Sequence, residues 1–158
     1  MILLSGAFCG IEYSEKLKKR VAFCTEAEKM MRLSEIMIRS CGTDVYELVG
    51  RLKAEGYSNL IFLDKLSEEY SADEGFSESW RTAVMSLRNT GEEEKRALVE
   101  FGNFLGSTDI SGQLSGIALQ SELMHGIYER RQADYQKKGR LYRSLGVLAG
   151  LTVGIIVI

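Results

Sequence analysis

The chain contains no proline in 158 residues. Average usage of about 5% would place roughly eight prolines in a chain of this length. Because proline breaks helices and forms turns, its absence favours long helices that end at Gly and begin at Ser, Thr or Asp. No segment alternates apolar and polar residues far enough to indicate a strand. The sequence therefore predicts an all-α protein.

Apolar residues recur every three or four positions through most of the chain. The longest stripe runs from Leu17 to Cys41 and stops at Gly42, which predicts one long amphipathic helix. Shorter stripes predict a bundle of about five or six helices, the last of which continues toward the C-terminus. These stripes lie at residues 45–52, 60–70, 76–87, 97–105 and 110–128.

Polar residues that can cap helices precede several of these stripes. Asp44 and Glu47 have the spacing of a cap pair, and so do Thr90 and Glu93. The run Glu92–Glu94 opens a predicted helix, where its charges favour the positive end of the helix dipole. Before the stripe at 60–70, the predicted cap is Ser58 or Asn59.

The C-terminal end of the chain is strongly apolar. Leu145–Ile158 carries no charged side chain, and a helix from Leu141 would rise about 27 Å against a hydrocarbon core of roughly 30 Å. Basic residues beside an apolar segment keep that flank on the cytoplasmic side. We therefore predict a transmembrane helix over 141–158, with a buried core helix as the alternative. The basic flank consists of Lys137, Lys138, Arg140 and Arg143.

Three glycines, Gly146, Gly150 and Gly154, recur every four residues within this segment. On a helix they form one smooth strip that allows close helix–helix packing in a membrane. At the other end, the apolar segment 1–11 is too short to span a bilayer, and it is either an interfacial anchor or part of a longer segment. The predicted organisation is this short segment, a cytoplasmic helical bundle over 12–140 and the membrane helix.

Catalytic and ligand-binding motifs are missing from the sequence. It contains three cysteines without a CxxC pair and one histidine, so no zinc-like spacing occurs. It also lacks phosphate-loop and nucleophile-elbow patterns. The net charge of −2 gives no global field that favours nucleic acid. We therefore expect a non-enzymatic protein without cofactor, metal or nucleic-acid partner.

The densest acidic segment outside a predicted helix start lies at residues 68–78. Such a segment is most often a solvated loop, but it is also a candidate contact for a partner protein. Its acidic residues are Glu68, Glu69, Asp73, Glu74 and Glu78.

Certain positions of the chain, concentrated in its C-terminal part, carry a family resemblance. They are Leu98, Phe101, Gly102, Leu105, Gly106, Asp109, Gln113, Leu119, Leu123, Tyr142, Leu145–Leu148, Gly150, Leu151, Ile155 and Ile156, with Glu35, Ile36, Thr43 and Trp80 earlier in the chain. In these positions the chain resembles stage III sporulation protein AB. That family often has Thr-Pro-Leu where this chain has Thr43-Asp44-Val45, and Asp44 can replace the turn by capping.

The resemblance implies a fold and a set of partners. The fold would be an all-helical domain similar to that of type II secretion F-proteins. The protein would lie in the mother-cell membrane that faces the forespore, as part of a complex that connects the two cells. Its domain would lie in the cytoplasm. The partners would be a secretion-type ATPase and further stage III A-series membrane proteins. The alternatives are a membrane-tethered scaffold unrelated to sporulation and a soluble helical adaptor whose apolar tail packs into another protein.

Overall fold

The computed structural model describes the backbone of residues 2–66, 75–88, 90–105 and 109–156, and their side chains except at 2–12, 139–140, 142–143 and 146–156. Over these residues the chain forms helices and no strand, which confirms the predicted all-α class. The helices are α1 (Ile2–Cys41), α2 (Val45–Ala54), α3 (Phe62–Leu66), α4 (Phe76–Met85), α5 (Glu92–Leu105) and α6 (Ile110–Ile156).

The end of α1 and the start of α2 follow from local chemistry, as predicted. Gly42 stops α1 with φ at +57°, and Gly56 follows α2 with φ at +68°, a region that glycine enters without a Cβ clash. Asp44 is the N-cap of α2, and its carboxylate accepts a hydrogen bond from the backbone N–H of Tyr46 at 3.3 Å. Asp44 therefore begins α2 by capping, as the sequence predicted.

Replacing Asp44 with alanine should lower the free energy of unfolding by about 1 kcal/mol, because a backbone N–H in the first turn of α2 loses its acceptor. Asp44→Asn keeps a side-chain oxygen and should stay close to the parent. Urea denaturation of the three proteins measures the difference. Equal stability of the alanine variant and the parent would show that the cap contributes nothing.

The predicted cap before α3 was wrong. Asn59 donates from its backbone N and from Nδ2 to the carboxylate of Glu26, both at 2.7 Å, and α3 begins only at Phe62. Asn59 therefore fastens the α2–α3 connection to α1. Because Glu26 lies 33 residues earlier, local sequence patterns could not reveal this pair.

The chain divides into two compact units, which we call the central unit (Ala22–Tyr128) and the terminal unit (Met1–Val21 with Glu129–Ile158). The hydrophobic core lies in the central unit and receives side chains from every helix. On α1 its buried face differs from the predicted stripe, because Met31, Ser34 and Ile38 are buried whereas Cys41 is exposed. Apolar residues occupy neighbouring positions here, so spacing alone did not determine which face turns inward.

The buried face of α6 in the central unit is more polar than its sequence stripe indicated. Ile117 and Met124 are fully buried, as predicted, but Ile110 is 60% exposed. Gln113 is buried, and its Nε2 donates to the carbonyl oxygen of Leu105 at 2.7 Å. The side chain of Gln113 thus supplies a hydrogen-bond donor at the C-terminal end of α5, where carbonyl groups lack partners within the helix.

The terminal unit contains the first part of α1 and the last part of α6, and α6 continues unbroken through the basic cluster, as expected. Within this unit, Lys138 Nζ donates to the hydroxyl of Tyr13 at 3.0 Å and lies 5.3 Å from the centre of its ring. Among the described residues, no helix has an apolar stretch of the length needed to cross a membrane. The transmembrane helix predicted over 141–158 is therefore not confirmed, although its backbone is helical to Ile156.

Candidate docking surface

Trp80 of α4 is the centre of an aromatic cluster in the core of the central unit. Trp80 is fully buried, and its ring centre lies 5.1 Å from that of Phe62 in an edge-to-face arrangement. The rings of Phe76 and Phe101 lie at 5.6 and 5.7 Å. The indole N–H donates to the carbonyl oxygen of Leu98 on α5 at 2.7 Å, so the polar edge of the ring is satisfied inside the core. Trp80 therefore joins α3, α4 and α5.

The close approach of α4 to α5 depends on a glycine. A Cβ atom at Gly102 would lie 2.1 Å from Cδ1 of Trp80 and 2.5 Å from its Cγ. These separations are far below contact distance, and the rings of Phe62, Phe76 and Phe101 surround the indole. Gly102 is thus required by packing rather than by backbone conformation.

On the outer side of this pair, α4 and α5 border an open groove of about 470 Å³. Met85 and Val99 are its apolar lining, and charged side chains form most of the rest. The ion pairs of these charges lie within single helices and are long, at 4.0 Å for Arg81–Glu78 and 3.7 Å for Lys95–Glu92. Among the described residues no ion pair joins the two walls. The charged lining residues are Glu78, Arg81, Glu92, Lys95, Arg96 and Glu100.

The central unit carries a strong excess of negative charge. Its sequence contains eighteen acidic and ten basic residues, a net charge of −8. Burial raises the pKa of the Tyr57 phenol, and the nearby charges of Glu55 and Glu26 raise it further. A protein with a basic surface would be attracted to this unit.

One comparison with known proteins identifies the family. The family model described as stage III sporulation protein AB matches residues 1–158, the whole chain. The chain belongs to the stage III sporulation protein AB family. No curated protein and no solved structure gives a significant match. Membership in this family assigns the chain a role in sporulation.

The structure explains several positions on which the resemblance to stage III sporulation protein AB rests. Leu98, Phe101 and Leu105 are fully buried on α5. Gly102 and Gln113 make the contacts with Trp80 and Leu105 described above. Leu119 and Leu123 differ, because they lie on α6 and are 55% and 50% exposed. Ile36 and Leu145 are likewise 59% and 58% exposed, so packing explains the buried positions of the motif and not the exposed ones.

Of the predicted partner patch, only Glu78 is described. It is exposed in the first turn of α4 and lines one part of the groove. Glu68, Glu69, Asp73 and Glu74 lie outside the described residues. The structure therefore places one residue of the predicted patch, Glu78, at the groove, and sequence reasoning had not connected it with a surface on α5.

Predictions for the C-terminal residues stay predictions. Lys137 is exposed and Lys138 contacts Tyr13, whereas the side chains of Arg140 and Arg143 are not described. The glycines Gly146, Gly150 and Gly154 lie on the helical backbone of α6, so their spacing of four places them along one side of it.

Two features of the central unit escaped sequence reasoning. Glu94, interpreted from sequence as one of three charges that favour the positive end of the dipole of α5, is only 1% exposed. His125 on α6 lies 3.2 Å from the carboxylate of Glu28 on α1, which also pairs with Arg32 at 2.7 Å. Partners 97 residues apart leave no local sequence signal. In the described part of the chain, no group of His, Cys, Asp and Glu could hold a metal ion.

Proposed function

We propose that this protein is a non-enzymatic platform subunit of a sporulation complex that links mother cell and forespore. Its terminal unit attaches to the mother-cell membrane through the apolar segments at its two ends. Its central unit faces the cytoplasm and docks a secretion-type ATPase. Further stage III A-series membrane proteins complete the complex.

The observation that carries this proposal is the match of the whole chain to the stage III sporulation protein AB family. The distribution of charge and apolar sequence supports the details. Basic residues flank the apolar segment 141–158, as they do on the cytoplasmic side of membrane proteins. The acidic central unit, with its open charged groove, is suited to steering and orienting a protein partner.

The strip of Gly146, Gly150 and Gly154 is the proposed contact of this segment with another membrane helix. Without side chains beyond Cα, these residues allow two backbones to approach closely. The proposed partner helix belongs to a second subunit of the same complex.

Docking of the ATPase is tested at the acidic segment. Reversing Glu69, Asp73 and Glu74 together to Lys should weaken binding of the full chain to the ATPase roughly tenfold at low salt, because complementary charge is lost. The thermal stability should change little, since solvated charges contribute little to folding. Binding is measured by interferometry in detergent, at low and at moderate salt.

A matched control makes the same change in charge elsewhere on the central unit. Glu47, Glu55 and Glu122 are exposed and lie outside the groove lining. Their reversal to Lys alters the net charge by the same amount but outside the proposed interface. It should therefore leave most of the affinity for the ATPase in place. If both triple variants weaken binding equally, the effect comes from net charge alone. If the first triple variant binds as tightly as the parent, the acidic segment is not part of the interface.

A further inference from the structure

The two units differ in the sign of their charge. The terminal unit contains ten basic and four acidic residues in its sequence, a net charge of +6, against −8 for the central unit. The two values add to the net charge of −2 for the chain. The chain as a whole therefore has no positive excess, whereas its terminal unit has a large one.

The positive charges of the terminal unit come from two helices that are far apart in sequence. Four of the ten basic residues are on α1, and six are on α6. We call these ten the basic collar: Lys16, Lys18, Lys19, Arg20, Arg130, Arg131, Lys137, Lys138, Arg140 and Arg143.

A contact between Tyr13 and Lys138 joins the two halves of the basic collar. Tyr13 lies between the apolar segment 1–11 and the basic residues of α1. Lys138 lies among the basic residues that precede the apolar segment 141–158. The two helices therefore touch where each changes from apolar to charged sequence.

Charged and apolar side chains are both exposed in this part of the terminal unit. Lys18, Lys19 and Lys137 are exposed. Leu141 and Leu145, which lie on either side of Arg143 at the end of the basic collar on α6, are 61% and 58% exposed. Exposed cations next to exposed apolar residues match the two layers of a membrane surface, where phosphate groups cover acyl chains.

We propose that the basic collar binds the headgroups of anionic phospholipids at the membrane surface. The inference rests on the proposed membrane attachment and adds lipid selectivity to it. Ammonium and guanidinium groups pair with lipid phosphates, and the exposed leucines enter the apolar layer below. Nucleic acid would offer phosphates to the same charges, but it offers no apolar layer for Leu141 and Leu145.

The test is flotation of the full chain, diluted from detergent, with vesicles of phosphatidylcholine alone or with added phosphatidylglycerol. The expected result is that phosphatidylglycerol strengthens binding of the parent at low salt. Lys18→Gln, Lys19→Gln and Lys137→Gln combined should reduce this gain roughly 100-fold, at about fivefold for each charge near an anionic surface. Raising the salt to about 1 M should abolish the gain, because the screening length falls to about 3 Å.

The matched control is Lys29→Gln, Arg88→Gln and Arg96→Gln, which removes three exposed charges from the central unit and leaves the basic collar intact. It should keep the full gain from phosphatidylglycerol. Equal binding to both vesicle types, or equal loss in the two triple variants, would overturn the proposal. Tighter binding to short duplex DNA than to these vesicles at equal phosphate concentration would also overturn it.

The same measurement separates this proposal from the membrane attachment on which it rests. Binding to neutral vesicles at about 1 M salt reports the apolar segments alone, because charge effects are screened. If that binding is absent while the phosphatidylglycerol effect persists at low salt, lipid binding by the basic collar is supported and insertion of the apolar segments is contradicted. If neutral vesicles bind the chain as well as anionic ones, insertion of the apolar segments is supported and lipid binding by the basic collar is contradicted.

Discussion

Replacing Trp80 with alanine should lower the free energy of unfolding by about 3–5 kcal/mol, the loss expected for a large aromatic side chain removed from a packed core. The indole is fully buried among three phenylalanine rings, so the space it leaves cannot be filled by one neighbour. The loss is large against a typical total stability of about 5–15 kcal/mol. Urea denaturation measures it by far-ultraviolet circular dichroism, since Trp80 is the single tryptophan and its removal ends the fluorescence signal.

The control for this prediction is Trp80→Phe. Phenylalanine keeps an aromatic ring in the site but cannot donate to the carbonyl oxygen of Leu98. Its loss of stability should therefore be clearly smaller than that of the alanine variant. An alanine variant as stable as the parent would contradict the assignment of Trp80 as the central contact of α3, α4 and α5.

Alanine at Gly102 should lower the free energy of unfolding by about 1–3 kcal/mol, although alanine is the better helix former. The added methyl group would lie 2.1 Å from the indole ring, whose packed neighbours prevent it from moving aside. Gly50 is the matched control. It is an exposed glycine within α2 with no atom within 4 Å of an added Cβ, so Gly50→Ala should raise stability by about 0.5–1 kcal/mol.

A double-mutant cycle isolates the cause of the Gly102 effect. In a Trp80→Ala background the space next to residue 102 is open, so Gly102→Ala should cost little there or stabilise α5. An equal loss in both backgrounds would show that the effect does not come from the ring contact. The same denaturation experiment serves all four proteins.

Sequence reasoning succeeded wherever the physical cause was local. The long α1, its stop at Gly42, the cap at Asp44 and the continuous α6 each depend on residues within a few positions of one another. It failed at Asn59, which looked like a helix cap but donates to Glu26 of α1 instead, and it did not foresee that Glu94, correctly placed in the first turn of α5, is buried. Buried polar residues such as Gln113 were also missed, because apolar spacing does not identify a polar side chain that has an acceptor in another helix.

By itself the sequence determined that this protein is helical, where most helices begin and end, and, through its whole length, which family it belongs to. The helical class and the helix ends follow from spacing, capping and composition, which act between near neighbours in the chain, whereas the family rests on the match of the whole chain. Only the tertiary structure decided that Gly102 must be small, that Glu26 holds Asn59, and that two basic clusters join at Tyr13 and Lys138. Each of these depends on contacts between residues 22 to 125 positions apart, whose geometry is set by packing of the helices and leaves no local pattern in the sequence.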